Sequence, residues 1–99
     1  GATKVRVAID GGEVVALLTA TDAAADGRGK LLGALRGWER GAAEAGLNIA
    51  TAPHFELLDS TQLGLALGIE NVIHAALIDG GAAQAAIKRA ERLARYIAN

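Results

Sequence analysis

Apolar and polar residues alternate over KVRVAID, residues 4–10, with Val5, Val7 and Ile9 on one side and Lys4, Arg6 and Ala8 on the other. A period of two predicts a half-buried strand. Asp10-Gly11-Gly12 follows and suits a tight hairpin turn. EVVALLTAT, residues 13–21, then predicts a second strand, because its unbroken apolar run from Val14 to Leu18 fits burial on both faces. Residues 22–29, DAAADGRG, read as a loop. From Lys30 to Ala45 the period changes: Leu31, Leu35, Trp38, Ala42 and Ala45 share one stripe, which predicts a surface helix ended by Gly46.

LNIATAPHFELLDS, residues 47–60, predicts a third strand. Proline donates no ladder bond, so this strand lies at an edge or begins after Pro53. Asp59 or Ser60 can cap the next helix, which the apolar pattern carries to Ile78 and Asp79-Gly80-Gly81 ends. A last helix is predicted over residues 82–98. The expected order is β-β-α-β-α-α. A strand–helix–strand unit implies a parallel pair, and the hairpin adds an antiparallel neighbour. The expected fold is therefore α/β, a two-layer α+β domain with a small three-stranded mixed sheet covered by three helices. At 99 residues, 1–99 is read as a single compact domain. Gly1-Ala2, with no initiator Met, reads as the remnant of a tag.

On a helical wheel the 60–78 segment divides into three sectors. Leu65, Ala66, Ile69, Val72, Ile73 and Ala76 form the expected core side, and Gly64 and Gly68 a small-residue ridge. The third sector sets Leu63, Leu67, Asn71 and Ile78 beside Glu70 and His74. Water wets such a surface poorly, so it predicts a partner contact, most simply an isologous dimer. Gly33, Gly37 and Gly41 form a second ridge, at intervals of four, on the preceding helix. Each helical glycine costs about 1 kcal/mol relative to alanine, so the row implies something packed closely against it. The leading expectation is a non-enzymatic binding or assembly module that homodimerises through small-residue helix faces.

Composition bears on that argument. Alanine accounts for 23 residues, and arginine outnumbers lysine seven to three, as a GC-rich coding sequence would also produce. Phe, Tyr and Trp occur once each, so the core is built from aliphatic side chains. The net charge of −1 gives no overall attraction to nucleic acid or an anionic membrane. With no cysteine, disulfides, thiolate metal sites and cysteine nucleophiles are excluded. No apolar run reaches the roughly 18 residues that span a bilayer, and no signal-peptide pattern opens the chain. A cytoplasmic location is expected.

Four residues could carry chemistry. Glu70 and His74 stand four apart in the predicted helix and so share a face. His54 and Glu56 alternate in the predicted third strand and so point to one side. If the two pairs converge, the chain is a small enzyme or ligand-binding protein, with His74 and Glu70 handling protons and His54 and Glu56 beside them. H-x-E and E-x-x-x-H spacings match many proteins by chance, so no metal and no cofactor is expected. Arg28, Gly29 and Lys30 open a predicted helix and could hold an anion or another small molecule. A nucleotide-hydrolysing loop is excluded there, since Ala24 stands where the first glycine belongs and Leu31 replaces the magnesium-binding hydroxyl. Lys88, Arg89, Arg92 and Arg95 make a basic stripe, but with few rings and a negative net charge nucleic-acid binding is not favoured.

Overall fold

The computed structural model describes residues 2–68, 72–78 and Lys88. Among them the order is α1 (Ala2–Asp10), β1 (Ala16–Thr19), α2 (Ala25–Glu44), β2 (His54–Phe55), α3 (Ser60–Leu67) and β3 (His74–Leu77). A three-stranded mixed sheet with three helices is present, but the elements alternate α-β-α-β-α-β rather than following β-β-α-β-α-α. The helix expected over residues 82–98 lies, Lys88 apart, outside the described residues, as do Glu70 and Asn71.

Residues 4–10 form a helix rather than a strand. Val5 and Ile9 are also four apart, and as α1 they bury almost completely, at 5% and 1% exposure. Val7, the residue that made the segment alternate, is 66% exposed. Arg6 reaches Asp10 one turn on, at 3.1 Å, a pairing only a helix supplies. Gly11-Gly12 ends this helix instead of turning a hairpin. The Gly12 amide donates to Ile9 and the Glu13 amide to Ala8, the bond pair of a Schellman motif, and Gly12 takes φ +69°. A β-carbon on Gly12 would also overlap the Trp38 indole.

The predicted second strand shrinks to β1, buried along its whole length. The stretch expected as a loop contributes the first turn of α2, which begins at Ala25 rather than Lys30. Leu31, Leu35 and Ala42 of the predicted stripe are buried, and a second Schellman pair at Gly46 closes the helix. The predicted third strand contains only two strand residues, β2, beginning directly after Pro53. Ala52 is pinned to α2 ahead of it: its amide donates to Glu39 Oε2 at 2.7 Å, and its carbonyl accepts from Arg36 at 2.9 Å.

In place of the long 60–78 helix stand a helix, α3, and a strand, β3. Asp59 caps α3 through a reciprocal capping box with Gln62. Gly68 ends it in the left-handed conformation, φ +74°, so this glycine is a stop and not part of a ridge. With the helix broken, the wheel no longer applies. Leu63 and Gly64 are buried, whereas Leu65, expected in the core, is 74% exposed. Leu67 packs against the core and Ile78 is exposed.

β1 is the central strand, in the order β2-β1-β3. It pairs parallel with β2, Leu17 opposite His54, and antiparallel with β3, Thr19 opposite His74. The antiparallel neighbour thus follows α3 rather than preceding β1. Side chains alternate between two cores. Leu17 and Ala76 face Val5, Ile9, Leu31 and Leu35 of α1 and α2, whereas Leu18 and Phe55 face Leu63 and Ala66 of α3. Helices therefore cover both faces of the sheet.

Candidate functional site

Strand geometry brings three polar side chains into one row. Residues opposite each other in adjacent strands point to the same face, as do residues two apart in one strand. His54 lies opposite Leu17, Thr19 is two beyond Leu17, and His74 lies opposite Thr19. Both histidines and Thr19 therefore project from the face covered by α1 and α2, at the end of β1 that leads into α2. His54 Nε2 lies 2.8 Å from Thr19 Oγ1. Its Nδ1 is 3.5 Å from Glu56 Oε1, and the other oxygen of Glu56 accepts from Arg28 at 2.7 Å.

The charge states follow from burial. The His54 side chain is only 10% exposed. Burial pushes its pKa below the ordinary 6.5, Glu56 partly opposes this, and the Arg36 and Arg28 cations add to the lowering. The imidazole is therefore neutral at pH 7. The carboxylate favours the proton on Nδ1, which leaves Nε2 to accept from the Thr19 hydroxyl. His74 is lowered too, first by burial and then by its neighbour His54. Its Nδ1 is sealed from solvent and has no hydrogen-bond partner among the described residues.

Gly27, in the first turn of α2, stands over this row, and a β-carbon on it would lie 3.6 Å from His74 Nε2. His74 also reaches a second space. A cleft of about 300 Å³ runs between α1 and β3, lined by Lys4, Val5 and Ala8 from the helix and by His74, Ala75, Ala76 and Ile78 from the strand side. It is mostly apolar, with Lys4 its one cation among the described residues.

Thr19, His54 and Glu56 repeat the order of a hydroxyl, a base and an orienting carboxylate. Thr19, however, is 2% exposed on the middle strand, so no substrate carbonyl can approach its oxygen. The line acts as a tie between strand ends.

The predicted site residues are distributed unevenly. His54, Glu56 and His74 come together, with Arg28 joined to them through Glu56. The convergence is across the sheet and under α2, not between a strand and a helix. The helical Glu70–His74 pair is removed, because α3 ends at Leu67 and His74 begins a strand. Arg28 and Lys30 lie inside α2, each with a carboxylate partner, since Lys30 is 3.1 Å from Asp26. Among the described residues no three His, Asp or Glu side chains cluster as a metal site would need. Among the described residues, a β-carbon on Gly29, Gly33 or Gly41 would meet nothing within 4 Å, and one on Gly37 only the end of Arg40. Thr19, Gly27 and Lys4 were not among the sequence candidates. Thr19 had a signal, as a hydroxyl closing an apolar strand run; Lys4 could not be found while α1 read as a strand.

No family model matches the chain, and no curated protein matches it. A solved structure of a protein with unknown function from Bacillus halodurans C is similar to it, with a TM-score of 0.68 at 19% identity. The match covers 92% of this chain and 80% of that one, and it shows the fold alone. None of the helices among the described residues is long and apolar enough to cross a membrane.

Proposed function

We propose that the protein is a small ligand-binding module without covalent chemistry of its own, and that the ligand enters the cleft between α1 and β3. The observation that carries this reading is the cleft itself, a space of about 300 Å³ with Lys4 and His74 among otherwise apolar lining residues. A concave apolar space with few polar groups is also the usual form of a small-molecule site. The shut-in Thr19 hydroxyl argues against the enzymatic alternative. Amide and imidazole NMR resonances, followed against a library of small polar and apolar fragments, provide the test. Shifts should gather on Val5, Ala8, His74 and Ala76. A screen in which no fragment moves these residues sinks the proposal.

Assembly is the second reading, favoured by one observation: the Gly33–Gly37–Gly41 row meets almost nothing among the described residues of its own chain. Sedimentation at micromolar concentration should then find a dimer that Gly37→Leu converts to monomer. A wild-type monomer would end this reading.

A further inference from the structure

We propose that His74 is an acid-operated latch on one end of the sheet: taking a second proton at Nδ1 obliges the first residues of β3 to part from β1. Nδ1 is sealed from solvent and meets no hydrogen-bond partner among the described residues. In the neutral ring this nitrogen stands as a bare acceptor, with the one proton on Nε2. In the cation both nitrogens carry protons, and a charged N–H shut away without an acceptor is far more costly than an idle lone pair. The proton and the seal therefore exclude each other.

Among the described residues no element packed about His74 offers the cation a carboxylate. β2 presents His54, whose own charge would repel it. β1 presents Thr19, opposite His74, and the Thr19 hydroxyl is taken by His54. α2 presents Gly27; beside it Asp26 is turned to Lys30 and Arg28 to Glu56. From α1, Lys4 lines the cleft that His74 also lines, and it is a cation. Asp22, in the loop after β1, holds Ser60 with both oxygens. His54 differs, because Glu56 lies 3.5 Å from its Nδ1 and favours its charge.

The pairing decides which segment yields. The first turn of α2 is tied to Glu56 through Arg28. Among the described residues β3 is an edge strand, and at the His74 end the Ala20 amide donates to the exposed Ile73 at 2.8 Å. At the other end the Val15 amide donates to Leu77 at 2.7 Å. Opening at His74 breaks the first of these bonds and keeps the second. The latch does not depend on a ligand in the cleft.

The test is amide hydrogen exchange of the whole chain, followed by NMR between about pH 5 and pH 8 and corrected for the pH dependence of exchange itself. The opened imidazole takes up its proton near the ordinary 6.5 and the closed one only at lower pH. Protection of the Ala20 amide should therefore be flat above pH 6.5 and fall about tenfold per pH unit below it, the slope of one proton gained on opening. A local opening exposes little surface, so in mild acid Ala20 exchange should hardly respond to low urea, whereas Val15 exchange should rise with it. His74→Gln should flatten the pH dependence at Ala20, and His54→Gln should leave it in place. Flat protection at Ala20 in the unaltered chain, or a urea response there as steep as at Val15, overturns the proposal even if neither variant folds. A pH dependence that survives in His74→Gln overturns it as well.

Discussion

Replacing Thr19 with valine tests the tie across the sheet most directly. Valine keeps the β-branched shape in a position that is 2% exposed, and removes only the hydroxyl whose oxygen lies 2.8 Å from His54 Nε2. The His54 side chain is 10% exposed, so little water can replace the lost partner. The variant loses a hydrogen bond and leaves a buried nitrogen unsatisfied, together about 1–3 kcal/mol. For a domain of this size each kcal/mol lowers the melting temperature by about 4–8 °C, so a fall of about 10 °C is expected. Urea unfolding followed through Trp38 fluorescence measures the cost in free energy. In a His54→Leu background, where no nitrogen is left waiting, the same replacement should cost less than about 0.5 kcal/mol. Equal costs in the two backgrounds, or no cost in either, would refute the assignment of this bond as the tie.

Gly12→Ala should destabilise by more than about 2 kcal/mol, because it adds an overlap with Trp38 to the strain of a left-handed backbone. Gly46→Ala shares the positive φ, at +84°, but its β-carbon would meet nothing within 4 Å among the described residues, and it should cost only about 1 kcal/mol in the same urea assay. Both histidines titrate below 6.5 in the fold and near 6.5 when unfolded, so the unfolded chain takes up protons first as pH falls. Stability should therefore be full above pH 6.5 and decline below it, until the folded histidines themselves protonate. Urea midpoints collected between about pH 5 and pH 8 check this, and a His54→Gln/His74→Gln variant should show a shallower fall.

Much of the frame could be read from the chain, and the misreadings have local causes. The stripe Leu31, Leu35, Ala42 and the cap at Asp59 carry signals that no other element produces, and α2 and the start of α3 lie close to where these place them. Val5, Val7 and Ile9 satisfy a strand by alternation, while Val5 and Ile9 alone satisfy a helix. Only tertiary burial on α2 and β1 decides between the two. IENVIHAAL sets Glu70, Asn71 and His74 among six apolar residues and has no period to betray a change of element. Gly68 is the available stop signal, but it stands four residues from Gly64 and so reads as part of a ridge.

The same holds for the site. His54 and Glu56 share a side because they are two apart, which needs no tertiary knowledge. That His74 joins them depends on the register of Thr19 against His74, between strands far apart in sequence, information that no local pattern contains.

The position of β1 has a consequence for how the chain can be divided. Among the described residues every strand pairing runs through residues 16–19, since β2 and β3 touch that strand and not each other. A cut in the exposed segment 47–51 would leave one piece with a strand and no neighbour, and another with two strands and nothing between them. Neither piece can close a sheet by itself, and each holds what the other lacks. The two halves should therefore behave as a split protein, silent apart and folded when mixed.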